Sequence, residues 1–106
     1  MIMVDELRKW AHANRPFLAG SCHLTADSVA ELHTFAAAIG LRRAWFQAGR
    51  VPHYDLTRQR REVALAAGAV FVPAKEQVRR RRAQAAADAR YLFGVLATVV
   101  TEDTLP

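Results

Sequence analysis

Hydrophobic and polar positions along the chain fall into short runs whose period changes several times. Ile2-Met3-Val4 is a compact apolar run closed by Asp5 and Glu6, and it predicts a short strand. Residues 8–20 hold no period, with Trp10, Pro16 and Gly20 as landmarks, and read as a loop with room for one helical turn. Ser21 to Thr25 predicts a second short strand. A helix begins near Asp27 or Ser28, because a side-chain oxygen at either position can accept from the free N–H groups of the first turn. Ser28 with Glu31 makes the capping-box pattern. Val29, Leu32, Ala36 and Ile39 then fall on one face at helical spacing, and Gly40 supplies the stop.

The apolar residues Ala44-Trp45-Phe46 predict a third strand, and residues 48–52 a loop broken by Gly49 and Pro52. His53 to Leu56 follows. Thr57 is placed to cap a second helix that turns Val63, Ala64 and Ala67 inward and stops at Gly68. Ala69 to Val72 is a compact apolar strand closed by Pro73. Strands and helices therefore alternate. The expected class is α/β, a small layered sheet with at least some parallel pairing, followed by a long C-terminal helix. That helix, residues 74–98, opens with the block Arg79 to Arg82. It continues with Ala85, Ala89, Leu92, Leu96 and Val99 at alternating spacings of four and three, a narrow seam of coiled-coil type. Tyr91, Phe93 and Val95 widen its apolar surface. It either packs on its own sheet or is shared with a second subunit, and a homodimer through this helix is the expectation carried forward. The expected organisation is an α/β core domain over residues 1–73 and a basic, then apolar, helix with a short tail over 74–106.

Length and charge refine this picture. A chain of 106 residues suits one core. Its formal charge is +5, and thirteen of the fifteen cations are arginine. Arginine's flat fork of donors matches phosphate and carboxylate oxygens in pairs, so the excess favours an anionic partner, small molecule or nucleic acid. A solvated basic surface is the plain alternative. With Cys22 as the one cysteine, no intrachain disulfide forms. The start of the chain lacks the pattern of a signal peptide. The longest apolar stretch, residues 91–100, is about half of the ~20 residues that span a bilayer. A cytoplasmic protein with no membrane partner is expected.

Three polar clusters are candidates for chemistry. Cys22-His23-Leu24-Thr25-Ala26-Asp27 lies at a strand-to-helix junction. His53-Tyr54-Asp55 also precedes a helix, and Asp5-Glu6 follows the first strand. Were the strands parallel, all three would meet at one edge of the sheet, where α/β folds place ligands. The histidines and aspartates lack the spacing of an H-x-x-x-H or C-x-x-C metal motif, and no metal ligand or cofactor is assigned. Cys22 reads as a buried structural thiol. His33, on the border of the first helix's apolar face, reads as a packing residue. His53, beside Asp55, is the better acid or base.

Arg58, Arg60 and Arg61 crowd the first turns of the second helix, where cations oppose the helix dipole and a bound anion would relieve them. Arg42 and Arg43 precede Trp45. Arg79 to Arg82 form a collar, since consecutive helical residues stand about 100° apart. No nucleic-acid signature, phosphate loop or dinucleotide fingerprint occurs.

Taken in order, Val4-Asp5-Glu6, Cys22-His23-Leu24 with Ala26-Asp27, Glu31-Leu32-His33, Gly40 with Arg42-Arg43 and Trp45, His53-Tyr54-Asp55 and Gly68-Ala69-Val70 resemble the domain of unknown function 4031, found in short bacterial and phage proteins. The resemblance spans about residues 2–73. The family more often has two aspartates where this chain has Asp5 then Glu6, and the arginine block and apolar helix are less typical of it. The family brings no activity. It marks His23, Asp27, His53, Tyr54 and Asp55 as motif positions, and its phage members imply nucleotide metabolism or the countering of host defence.

The leading expectation is a binding domain for an anionic, phosphate-bearing small molecule. His23 and His53 would donate, Asp55 would orient or accept, and Arg42 and Arg60 would neutralise the anion, with Asp27 and Tyr54 as further ligand-binding candidates. The second is a metal-dependent hydrolase of nucleotides or nucleic acid, with His53 as general base and Asp5 or Asp55 on the metal. The third is a module whose arginine-rich helix docks on nucleic acid or an acidic protein.

Overall fold

The computed structural model describes residues 1–10 and 14–104, and side chains as far as residue 98. Residues 11–13 of the expected loop, and the side chain of Val99 in the expected seam, lie outside the described residues. The chain forms two compact units, the first being Met1–Ala74 and the second starting at Lys75. The first unit contains β1 (Ile2–Val4), β2 (Ser21–Ala26), α1 (Val29–Ala38), β3 (Tyr54–Thr57), α2 (Arg58–Ala66) and β4 (Val70–Phe71). α3 (Ala74–Thr104) begins on the last residue of the first unit, and from Lys75 onward it forms the second. The α/β class and the long final helix are as the sequence predicts.

The sheet is mixed, with strand order β3-β2-β1-β4. β1 and β4 run parallel, while β1–β2 and β2–β3 are antiparallel. The parallel pairing is thus confined to one edge. Among the described residues no crossover α-helix lies between β1 and β2, and the chain returns along β1 as antiparallel strands do. Their ladder extends past the strand ends, where Arg8 and Ser21 exchange hydrogen bonds of 2.9 and 2.8 Å.

Local signals set the helix starts. Ser28 caps α1, its hydroxyl accepting from the Glu31 N–H at 3.2 Å. The Glu31 carboxylate turns to the Met1 amino group, 2.6 Å away. Thr57 caps α2 by accepting from the Arg60 N–H at 3.2 Å. Gly40 and Gly68 follow these helices with φ of 82° and 109°, a conformation in which a Cβ is strained.

One predicted strand does not form. Arg43–Trp45 is a short 3-10 turn, closed by the Trp45 N–H on the Arg42 carbonyl and the Phe46 N–H on the Arg43 carbonyl. The aromatic composition favoured a strand, but these backbone groups bond locally, and only Gln47 reaches across, pairing with His53. Three positions on the predicted apolar faces also turn outward. On α2 only Ala64 is buried, and Val63 and Ala67 face water; on α1 Leu32 and Ala36 are buried while Val29 is exposed. A nine-residue helix over a small sheet covers it with a narrow stripe.

The core gathers Val4, Cys22, Leu24, Leu32, Ala36, Leu41, Tyr54, Leu56, Ala64 and Ala69. Its strand members alternate. Cys22, Leu24, Tyr54 and Leu56 are buried, while His23 and Asp55 between them lie on the opposite face, half exposed. At the entry to α3 the Glu6 carboxylate accepts from the Ala74 N–H at 2.6 Å. The longer arm at position 6 is thus used on a helix N-terminus, where negative charge is favoured, and this bond holds the Glu6 carboxyl below its usual range. Along α3, Tyr91, Leu92, Phe93 and Leu96 are exposed. No helix among the described residues is long and apolar enough to cross a membrane.

Candidate metal centre

The outward-facing positions of β2 and β3 come together by register. His23 stands opposite Asp55 in the antiparallel ladder. His53 precedes Asp55 by two residues and so shares its face. The chain leaving β1 brings Asp5 alongside His23. Three of the predicted site residues, His23, His53 and Asp55, offer donor atoms that all lie within 4.8 Å of one another.

Each imidazole is held from behind. Asp5 Oδ1 accepts the His23 backbone N–H at 2.6 Å, and Asp5 Oδ2 lies 2.7 Å from His23 Nδ1. A carboxylate only accepts, so His23 Nδ1 is the donor and Nε2 faces forward. His53 Nδ1 lies 2.8 Å from the Val51 carbonyl, which again accepts only, so Nε2 is the forward atom there too. Both Nε2 atoms face Asp55 Oδ1, at 3.9 Å from His23 and 3.5 Å from His53. Gln47 Nε2 donates to Asp55 Oδ2 at 2.5 Å and fixes the carboxylate plane. The two rings meet edge to face, with centroids 5.1 Å apart.

Electrostatics follow this geometry. The hydrogen bond from Asp5 raises the His23 pKa above its ordinary value, against the opposing effect of burial. Burial pushes the Asp5 carboxyl up, and the His23 hydrogen bonds outweigh it, leaving Asp5 below its ordinary value. The Asp5 backbone carbonyl accepts from Arg61 Nε at 3.1 Å, which ties this segment to α2. Asp5 is 10% exposed against 42% for His23, 36% for Asp55 and 21% for His53. The cluster therefore has a buried back and an open front.

The remaining candidates go elsewhere. Asp27 lies past the far end of β2, beside the Met1 amino group at 2.9 Å, because the antiparallel pairing sends it to the opposite end from Asp5. Tyr54 points into the core, and its hydroxyl donates to His33 Nδ1 at 2.9 Å. Arg43 also donates to that atom, at 3.1 Å, so the His33 proton sits on Nε2, a buried atom without a partner among the described residues. Burial and Arg43 lower the His33 pKa. His33 is a packing residue, as its helical position implied. Cys22 is buried on the core side of β2, its thiol pushed up to about 12 by desolvation and by Asp5. The Arg42 and Arg60 guanidinium groups both lie over the Trp45 ring. Sequence reasoning missed Gln47 and the Val51 carbonyl. It carried Asp5 only as a possible metal ligand of the hydrolase reading, whereas Asp5 supports His23 from behind.

His23, His53 and Asp55 are a set that could hold a metal ion. Two imidazoles and one carboxylate converge, each oriented through its other polar atom. Donors about 2.0–2.1 Å from a tetrahedral ion stand roughly 3.4 Å apart; His53 Nε2 and Asp55 Oδ1 are 3.5 Å apart, His23 Nε2 and Asp55 Oδ1 3.9 Å, and all three donors lie within 4.8 Å. No curated protein and no solved structure matches the chain. Residues 2–84 match a protein family described as "protein of unknown function (DUF4031)".

Proposed function

The chain belongs to that family, whose description states no reaction, and we propose from the site itself that it is a divalent-metal-dependent hydrolase acting on phosphate esters. The observation that carries this reading is the pair of histidines whose Nδ1 atoms are both satisfied from behind while both Nε2 atoms face Asp55 Oδ1. Imidazole nitrogens with one carboxylate suit zinc and neighbouring transition metals better than magnesium or calcium. His23, His53 and Asp55 would hold the ion, and a zinc ion held by three protein ligands would supply an activated water at neutral pH. No separate general base is then required, and His53 becomes a ligand.

The charge balance separates this reading from simple anion binding. Asp55 stands at the open front of the cluster, so a phosphate entering it unaided meets like charge there. A cation reverses that sign and joins the phosphate to the site. The exposed apolar side chains of α3 support self-association of this helix as the means of dimerisation.

The test begins with chelator-stripped protein titrated calorimetrically with Zn²⁺, Mn²⁺ and, without oxygen, Fe²⁺. One ion per chain is expected, with binding lost in His53→Ala and Asp55→Ala. The loaded protein should release nitrophenol from bis(p-nitrophenyl) phosphate, and a chelator should stop it. A stripped protein that takes up none of these ions at micromolar concentration would overturn the metal centre; uptake without ester hydrolysis would overturn the activity.

A further inference from the structure

The 3-10 turn that replaces the expected third strand builds a second polar feature. Trp45 carries two guanidinium groups against its indole. Arg42 Cζ lies 5.9 Å and Arg60 Cζ 5.0 Å from a ring centroid. The two come from different elements, Arg42 from the start of the turn and Arg60 from the first turn of α2. An adjacent pair repeats the contact, with Arg43 5.1 Å from the Phe46 ring. Among the described residues no carboxylate pairs with Arg42, Arg43 or Arg60.

We propose that Arg42 and Arg60, held on Trp45, form a phosphate-binding clamp that takes a second phosphate of the substrate, beyond the one at the metal. A guanidinium held over an aromatic ring spends no N–H donor on a carboxylate, and the contact removes rotamer freedom before the anion arrives. Two such forks match the oxygens of one phosphate. Their position at the start of α2 explains a conflict noted in the sequence: the cations oppose the helix dipole, and an anion there is favoured by both the dipole and the arginines. The clamp is also tied to the metal cluster through the chain. Trp45 is two residues from Gln47, which holds Asp55, and Arg60 is five residues beyond Asp55 on the same strand-to-helix connection. The inference rests on the hydrolase reading for the word substrate, but the binding it asserts does not need the metal.

The ligand chemistry, a phosphate anion, has two sources: a nucleotide-like small molecule or a nucleic-acid strand. Inorganic pyrophosphate and a short oligothymidylate are the respective probes, titrated into the full chain with chelator present. Arg42→Gln and Arg60→Gln should each weaken binding by about tenfold, the loss of one charge-assisted contact. Arg58→Gln removes the same charge from the same helix turn at a position with no ring contact among the described residues, and should weaken it by less than about twofold. Trp45→Leu should reproduce part of the arginine losses with the net charge intact. Binding of pyrophosphate with this pattern identifies a small-molecule source, and binding of the oligothymidylate alone with this pattern identifies a strand. Equal losses in all three arginine variants, or no binding of either probe at millimolar concentration, would overturn the clamp. Failure of the metal reading would appear separately, as absence of metal uptake with the arginine pattern intact.

Discussion

Asp5 grips His23 at two points, its Oδ1 on the backbone N–H at 2.6 Å and its Oδ2 on ring Nδ1 at 2.7 Å. The grip fixes both where the ring stands and which nitrogen carries the proton. In Asp5→Asn the amide oxygen can still accept the backbone N–H, but the amide nitrogen then faces Nδ1 as a donor. Nδ1 must become the acceptor, and the proton moves to Nε2, where it blocks a metal ion. Metal affinity should fall about 10- to 100-fold, while the fold survives as judged by circular dichroism. Calorimetric titration of the stripped variant checks this. Unchanged affinity would mean that His23 is not a ligand through Nε2.

The same pair makes stability depend on pH. The His23 pKa is raised in the folded chain, so its contribution is fully present below about 6.5 and is lost as pH rises through the folded value. The Asp5 pKa is lowered, so its contribution is present above about 3.8 and is lost as pH falls through the folded value. The ion pair is therefore at full strength between those ordinary values. Thermal melts of chelator-treated protein should show the midpoint declining from pH 6 to pH 8, with His23→Gln giving a flatter profile over that span. Parallel profiles would show that the pair adds nothing to stability.

The fold was largely legible in the chain because its signals are local. Ser28 and Thr57 cap the helices they were expected to cap, and the alternation of Cys22, His23 and Leu24 sorts core from surface. The Arg43–Trp45 turn was not legible, since aromatic residues favour strands only where a neighbouring strand accepts their backbone groups. The site was legible as residue types and not as an assembly. His23, His53 and Asp55 converge through antiparallel register, which also sends Asp27 to the opposite end, and periodicity alone carries no strand direction. Tyr54 adjoins Asp55 in sequence but faces the core, as alternation along a strand requires. Gln47 carried no signal, because its role depends on a bridge to His53 that no local pattern announces.

Cys22 adjoins His23 in sequence and lies on the other side of the sheet. Its thiol is pushed up to about 12 by burial and by Asp5, so almost no thiolate forms near neutral pH. Iodoacetamide at pH 8 should leave the folded protein unmodified over hours and alkylate it within minutes in denaturant. Cys22→Ala should cost about 1–2 kcal/mol of stability through the small cavity it leaves, and should not alter metal uptake. Rapid labelling of the native chain would contradict the buried placement of this thiol.

Leu92 and Leu96 lie four residues apart on α3, each 58% exposed, with Tyr91 and Phe93 exposed at 72% and 73% beside them. Four large apolar side chains within six residues of one helix make a surface that water disfavours and that a second copy of the same helix would match, since the spacing of four then three continues to Ala89 and Ala85. If α3 dimerises the protein, sedimentation should show a dimer that dissociates on dilution. Leu92→Asp with Leu96→Asp should weaken it by at least about 100-fold, because each buried leucine contributes about 1.5–3 kcal/mol. Metal uptake by the double variant should equal that of the parent, because His23, His53 and Asp55 belong to the first unit and α3 forms the second. A parent chain that sediments as a monomer at every concentration would remove α3 as a dimerisation element.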